Sequence, residues 1–297
     1  MKKFNVIKQN INLIYKCLIR CIGITTSILS VLFLFITWED IGITKILYKF
    51  IIIGIICIIL LAWSTIWSCV LKKQKIIWQR ASGRIIVQYG DLLRKGFDKK
   101  NKRNRLIVIP VNSAFDTIVD ADISLCSKPL VSPNSLHGKW IRRYLENGGT
   151  IEDIDKKIIN FLNQQKIKPS KVLSKQNNEC GKRELYDLGT IAVIKGDAGN
   201  TFLLLATTNF DENNNAHVSV EEIEYVIKAL IKFHNQHGQG YELLIPLIGT
   251  NLSRAGLSHD DSLRILTSMF QLYGNLIYGD IKIVIYKGDK DKVTLDI

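Results

Sequence analysis

The sequence predicts an α/β protein in two parts: an N-terminal transmembrane helical hairpin, then a domain whose helices pack on a central mixed sheet. Three observations predict it. Two long uncharged apolar runs lie near the N-terminus. From Arg84 onward, short β-branched runs alternate with amphipathic segments of helix length, the pattern of helices layered on a sheet. Residues 196–200, GDAGN, join two such runs as a hairpin turn, so the sheet is not purely parallel.

The apolar runs cover residues 21–37 and 50–71, and neither contains a charge. A bilayer core needs about 20 residues of helix. Trp38 ends the first run, and Trp63 and Trp67 lie near the end of the second, where interfacial aromatics belong. Lys2, Lys3, Lys8, Lys16 and Arg20 precede the hairpin, and Lys72, Lys73, Lys75 and Arg80 follow it. The connecting segment 39–49 carries two acids and only Lys45 and Lys49. The positive-inside rule then places both termini in the cytoplasm and a short loop outside. A signal peptide would need a small-residue cleavage site after the first run, but Trp38, Glu39 and Asp40 stand there. Soluble bundles seldom contain helices this long that are apolar all round. Ser64 and Thr65 are candidates for bonds between helices, or for bonds back to their own helix.

The expected organisation is a basic cytosolic tail over 1–20, the hairpin over 21–71, a basic linker over 72–80, and the α/β domain over 81–297. The 297 residues carry a net charge of +13, with a pI near 9.4. Such a balance favours nucleic acid or an anionic membrane as neighbour. Crowding of Lys and Arg beside the apolar runs decides for the membrane. The basic stretch 99–105, KKNKRNR, reads as a surface turn or a lipid-facing patch; it lacks the interleaved aromatics of a nucleic-acid site, and no nucleic-acid partner is expected. Residues 211–215, DENNN, read as a solvated loop. Of six cysteines, Cys17, Cys21, Cys57 and Cys69 lie in or beside the apolar runs and Cys126 and Cys180 in the soluble part, with no C-x-x-C. That usage fits a reducing compartment and argues against disulfides and structural zinc.

In the soluble part, strands are expected at 84–88, 106–110, 190–195, 201–207, 242–247 and 282–286, and helices at 138–147, 151–165, 220–235 and 259–275. Thr150 with Asp153, Ser219 with Glu222, and Ser258 with Asp261 each set a hydroxyl before a helix and an acid three residues on, as in a capping box.

Ligands in open α/β sheets bind beyond the carboxyl ends of the strands. Residues 247–258, LIGTNLSRAGLS, leave a strand and enter a helix. Gly249, Thr250, Asn251, Leu252, Ser253, Arg254, Ala255 and Gly256 could cradle a diphosphate through backbone amides, with Arg254 adding charge. It is neither a P-loop nor a G-x-G-x-x-G. In VIPVNSAFDT, 108–117, Asn112 could bond sugar hydroxyls, with Ser113, Phe115 and Asp116 after it; a plain turn fits equally. In YGDL, 89–92, Asp91 could accept a bond from an amino group, with Leu92 beside it. His234 and His237 have helical i, i+3 spacing but no carboxylate to complete a metal site, and are expected to face solvent. No G-x-S-x-G occurs, and Cys180 has no mark of a nucleophile, so no catalytic residue is assigned.

These segments together resemble a macro domain over residues 80–297. In that family a Gly-Asp pair reads adenine, as Gly90-Asp91 would; a Val-Asn strand end approaches the distal ribose, as Val111-Asn112 would. A Gly-rich loop holds the diphosphate, as 249–256 would, and an aromatic after the last strand stacks on adenine, as Tyr286 would. The resemblance implies a macro-type three-layer α/β/α domain. Hydrolytic members follow the Asn with a glycine triplet; Ser113-Ala114-Phe115-Asp116-Thr117 stands here instead, which implies binding without turnover.

Hairpin and domain together resemble the macro-domain membrane effectors of bacterial type II Thoeris anti-phage systems. That resemblance implies an ADP-ribose derivative as ligand and no cofactor. A TIR-domain enzyme upstream would make the ligand as ADP-ribose conjugated to histidine. It further implies a homo-oligomer in the bacterial inner membrane, with the macro domain cytoplasmic and membrane disruption as output. In NSLHG, 134–138, Ser135 and His137 would meet the ligand beyond ADP-ribose, or Asn134 and Ser135 cap a helix. The rivals are a membrane-tethered ADP-ribosyl hydrolase, with Asn112 and Asp116 positioning a water, and a scaffold that recruits ADP-ribosylated proteins.

Overall fold

The computed structural model describes residues 2–119, 131–174, 181–210, 216–250 and 256–296. Cys126, Cys180, the 211–215 loop and Asn251, Leu252, Ser253, Arg254 and Ala255 lie outside the described residues. Contacts divide the chain into two units, Met1–Gln74 with Gly288–Ile297, and Lys75–Lys287.

The first unit holds helices α1 (Lys2–Gln9), α2 (Ile11–Leu32) and α3 (Ile46–Ile66), the last running into a π-helical turn at Trp67–Leu71. The stretches Ile11–Leu32 and Ile46–Leu71, with mean hydropathies of 1.5 and 2.7, are long and apolar enough to cross a membrane. Helix α2 begins well before the uncharged run because Leu13 and Ile14 continue its apolar face and are buried. Thr65 donates to the Leu61 carbonyl at 2.9 Å, so it bonds back to its own helix.

The second unit contains strands β1 (Gln74–Arg80), β2 (Gly83–Gly90), β3 (Arg105–Asn112), β4 (Lys171–Val172), β5 (Glu184–Leu185), β6 (Ile191–Lys195), β7 (Asn200–Phe210), β8 (Ala216–His217), β9 (Glu242–Pro246) and β10 (Ile281–Tyr286). Its helices are α4 (Leu92–Gly96), α5 (Leu136–Glu146), α6 (Ile151–Gln164), α7 (Val220–His237) and α8 (His259–Leu272). The main sheet runs β1-β2-β10-β9-β3-β7-β6, with β8 on the end of β7. Strands β2, β10, β9, β3 and β7 are parallel, and β6 is antiparallel to β7 across the expected turn. The sheet is therefore mixed, as predicted. Both cores are apolar: Trp140, Ile141, Ile154 and Ile158 of α5 and α6 pack with Ile107, Ile109, Phe202 and Leu204 on one face. Helices α7 and α8 bury Val226, Ile227, Leu230, Leu266 and Phe270 on the other.

Capping follows the sequence. Ser219 and Glu222 form a complete capping box on α7, and Thr150 and Ser258 accept from the N–H groups of Asp153 and Asp261. Two expectations change. Most of the expected basic linker is strand β1, at the edge of the sheet, because Ile77 and Trp78 half-bury despite the charges around them. His234 does not face solvent: α7 runs on to His237, His234 is 3 % exposed, and its Nε2 lies 3.2 Å from the Tyr241 carbonyl. Burial lowers its pKa. The 99–105 stretch is a surface turn tied to the β6–β7 hairpin, with the Asn101 amide donating to Asn200 at 3.0 Å.

Candidate functional site

Parallel pairing brings the carboxyl ends of β2, β3, β9 and β10 to one edge of the sheet, and the segments singled out in the sequence follow those ends. Tyr286 is in register with Gly90, so the exposed Tyr286 ring, 61 % accessible, stands beside the strand end that leads into Asp91. Asp91 caps α4, its carboxylate accepting from the Arg94 N–H at 3.0 Å while the side chain stays exposed. Leu92, behind it, is buried.

The segment after β3 is a closed loop. The ladder with β7 shifts register between Val111 and Asn112, and Ser113 N–H donates to the Thr208 carbonyl at 2.9 Å. Asn112 Nδ2 donates to Asp116 Oδ2 at 2.8 Å, and Asp116 N–H donates to Asn112 Oδ1 at 3.0 Å. Phe115 takes a left-handed φ of 53° and turns its ring inward, edge-on to Tyr186 at 5.7 Å. Asn112, Ser113, Phe115 and Asp116 are all buried. Lys182 staples the loop from outside: its N–H donates to Asp116 at 2.7 Å, and its Nζ reaches the Phe115 carbonyl at 2.7 Å and Asp155 at 2.6 Å. Burial pushes the Asp116 carboxyl up, against the pull of the Lys182 N–H and Asn112 bonds. Lys182 carried no signal in the sequence, because it belongs to a segment far from the loop it holds.

After β9, Gly249 and Gly256 both adopt left-handed φ, 82° and 68°, which a Cβ would strain. Thr250 and Leu257, the residues that follow each of them, form an isolated bridge. Ser262 Oγ donates to the Ile248 carbonyl at 2.5 Å, fastening α8 beneath it. The loop ends at the N-terminus of α8, which attracts anions, although Asp260 and Asp261 already occupy its first turn.

Ser135 caps α5, accepting from Gly138 N–H at 2.9 Å and donating to the Ser132 carbonyl at 2.6 Å. A Cβ on Gly138 would lie 2.3 Å from that same carbonyl, so glycine is required for the approach. His137 is 6 % exposed and stacks on Trp140 at 6.4 Å; burial drops its pKa to about 3, with the Lys182 charge adding to the effect. Gln88, on β2, is 7 % exposed and its Nε2 has no partner among the described residues. It is in register with Val284, one same-face step before the Gly90–Tyr286 pair. A polar residue within IIVQYG was its one available signal.

Among the described residues no group of His, Cys, Asp and Glu could hold a metal ion. A cleft of about 740 Å³ lies at the opposite edge of the sheet, lined by Arg84, Glu242 and Asp280 among others. Both acids in it are paired, Asp280 with Arg84 at 2.5 Å and Glu242 with Arg105 at 3.0 Å, while Arg80 and Arg103 also line it.

A three-layer α/β module with loops gathered at the carboxyl edge of a parallel-centred sheet is a small-ligand-binding class of fold. The family model described as "Thoeris protein ThsA, Macro domain" matches residues 85–286, and the chain belongs to that family. The Thoeris protein ThsA of Bacillus amyloliquefaciens (strain Y2) is 27 % identical over 207 residues, 68 % of this chain and 64 % of that protein. The match thus spans less than two thirds of that relative. The Oceanobacillus iheyensis macrodomain with ADP is 11 % identical, covering 74 % of this chain and 93 % of that one at a TM-score of 0.43. The Trypanosoma brucei macrodomain in complex with ADP-ribose is 9 % identical, covering 69 % and 65 % at a TM-score of 0.37.

Proposed function

We propose that this chain is a membrane-anchored anti-phage effector whose cytoplasmic macro domain binds an ADP-ribose-derived signal and whose hairpin then disrupts the bacterial inner membrane. The observation that carries the reading is the union, in one chain, of a ThsA-type macro domain over 85–286 with two apolar helices of membrane-spanning length. In this reading the signal is ADP-ribose conjugated to histidine, made by a TIR-domain enzyme that acts upstream. Two helices cannot line a wide pore, so the active form is a homo-oligomer.

At the site, Asp91 reads the adenine amino group, Tyr286 stacks on the ring, and the loop from Gly249 to Gly256 holds the diphosphate. Asn112, Ser113, Phe115 and Asp116 shape the ribose end from behind, and Ser135 and His137 fix the start of α5 beside it. The engagement of Asn112 and Asp116 with each other and with Lys182 supports binding without turnover, since neither is left to orient a water.

Calorimetry on the full chain in detergent, with ADP-ribose and with its histidine conjugate, tests the binding. Dye release from vesicles carrying the same protein tests the output. Binding tighter for the conjugate, with leakage that depends on it, is expected. Multiple-turnover release of ADP-ribose from a modified protein would instead establish the hydrolase, and ligand binding with intact vesicles the scaffold.

A further inference from the structure

Residues 288–297 follow the last strand of the second unit, yet by their contacts they belong to the first. Their side chains alternate. Val293 and Leu295 are 0 % and 1 % exposed, while Thr294 and Asp296 meet polar partners on the start of α2. Thr294 Oγ1 donates to Asn10 Oδ1 at 2.9 Å, and Lys16 Nζ reaches both Asp296 oxygens at 2.9 and 3.0 Å. Lys290 Nζ donates to the Cys69 carbonyl at 3.3 Å, on the π-helical turn that ends α3. One segment therefore ties the start of the first hairpin helix to the end of the second.

Burial follows the same line. In α2 the buried residues are Leu13 and Ile14, set between Asn10 and Lys16; in α3 and its π turn they are Ser64 and Ser68. Along the remainder of both helices no residue is buried. Full burial in the hairpin is thus confined to the end where this segment lies, while farther along only a half-buried stripe of Cys21, Thr25 and Leu29 in α2 and Ile52, Ile56 and Leu60 in α3 continues. Lys16 is 66 % exposed, so its ion pair contributes little, and the hold rests mainly on Val293 and Leu295. Ser68 Oγ is buried without a partner among the described residues, which makes this seam weaker than an ordinary core. At its other end the segment continues directly from Tyr286 through a single 3-10 turn, Lys287–Asp289.

We propose that residues 288–296 form a releasable strap that holds the two hairpin helices together at rest and lets go when ligand engages Tyr286. The proposal rests on the hairpin being the membrane output and deepens that reading by naming its restraint. A ligand shifts this equilibrium by binding the released form better, which needs contacts at Tyr286 that the docked strap does not permit. Because the strap is a short non-strand segment held by the burial of Val293 and Leu295 and by a few side-chain bonds, a displacement at its root is enough to undock it.

The test uses the full chain in phosphatidylglycerol–phosphatidylethanolamine vesicles loaded with a quenched dye. The double variant Val293→Asp/Leu295→Asp is expected to leak at least about fivefold faster than the parent with no ligand present, with faster amide exchange over 288–296. Lys16→Glu is expected to speed that exchange, and Lys16→Glu/Asp296→Lys to restore it, which separates strap release from misfolding. Fast exchange at 288–296 with parental leakage overturns the proposal. So does a parent whose strap exchanges no faster with the histidine conjugate of ADP-ribose bound than without. A parent that fails to bind ADP-ribose refutes the proposed ligand, while ligand-free leakage of the strap variants still decides the strap.

Discussion

Asn112 and Asp116 satisfy one another across four residues: amide nitrogen to carboxylate at 2.8 Å, and backbone N–H to amide oxygen at 3.0 Å. Two groups that could serve a reacting water instead fix the loop at the end of β3. Lys182, from a distant segment, supplies the third bond to the pair.

Asp116→Ala leaves the Asn112 amide and the Lys182 N–H without their acceptor in a buried site. The expected cost is about 3 kcal/mol. For a unit of this size that lowers the melting temperature by about 8 °C, read by a thermal melt of the detergent-solubilised chain. A variant melting within a degree or so of the parent would mean that the loop does not depend on this pair.

His137 gives a pH dependence with a definite sign. Its folded pKa of about 3 lies below the usual value near 6.5, so between those values the unfolded chain binds more protons than the folded one. The stability linked to His137 is complete above pH 6.5 and is lost as pH falls towards 3. Between pH 6.5 and 4.5 the loss is roughly 2 kcal/mol. His137→Gln is expected to lose less stability over that interval than the parent, measured as the shift in melting temperature between the two pH values.

Tyr286→Ala removes the exposed ring beside Gly90. A base stacked on an aromatic is worth about 1–3 kcal/mol, so ADP-ribose affinity is expected to fall at least about fivefold by calorimetry. Tyr286→Trp, which keeps the face, is expected to stay within about threefold of the parent.

Gly256→Glu places a carboxylate on the proposed diphosphate loop. Among the described residues nothing lies within 4 Å of that Cβ, and the left-handed φ costs on the order of 1–2 kcal/mol. The expected result is a loss of ADP-ribose binding of more than about tenfold with the protein still folded, because like charge repels the ligand. Parental affinity would move the diphosphate site elsewhere.

Wherever local pattern and burial agree, the fold was legible. The strands around Ile107, Leu203 and Ile283 and the helices capped by Thr150, Ser219 and Ser258 lie within a few residues of their expected bounds. Strand β1 was hidden because its charges resemble those of a membrane flank, and only pairing with β2 makes it a strand. Asp91 and Tyr286 are exposed at strand ends, as a sequence pattern can suggest. That Phe115, Asp116 and His137 turn inward could not be read, since rotation into a core is decided by neighbours distant in the chain.

By itself, then, the sequence determined the main strands and helices of the α/β domain, the presence of two apolar helices before it, and which loops follow strand ends. Those properties come from side-chain periodicity and caps, which act over a few residues. Tertiary structure decided that Lys182 closes the loop on Asn112 and Asp116, that Gln88 is a buried donor beside Gly90, and that the last residues dock on Asn10, Lys16 and Cys69. Each of these joins positions far apart in the chain, and no local pattern records which distant partner will close the contact.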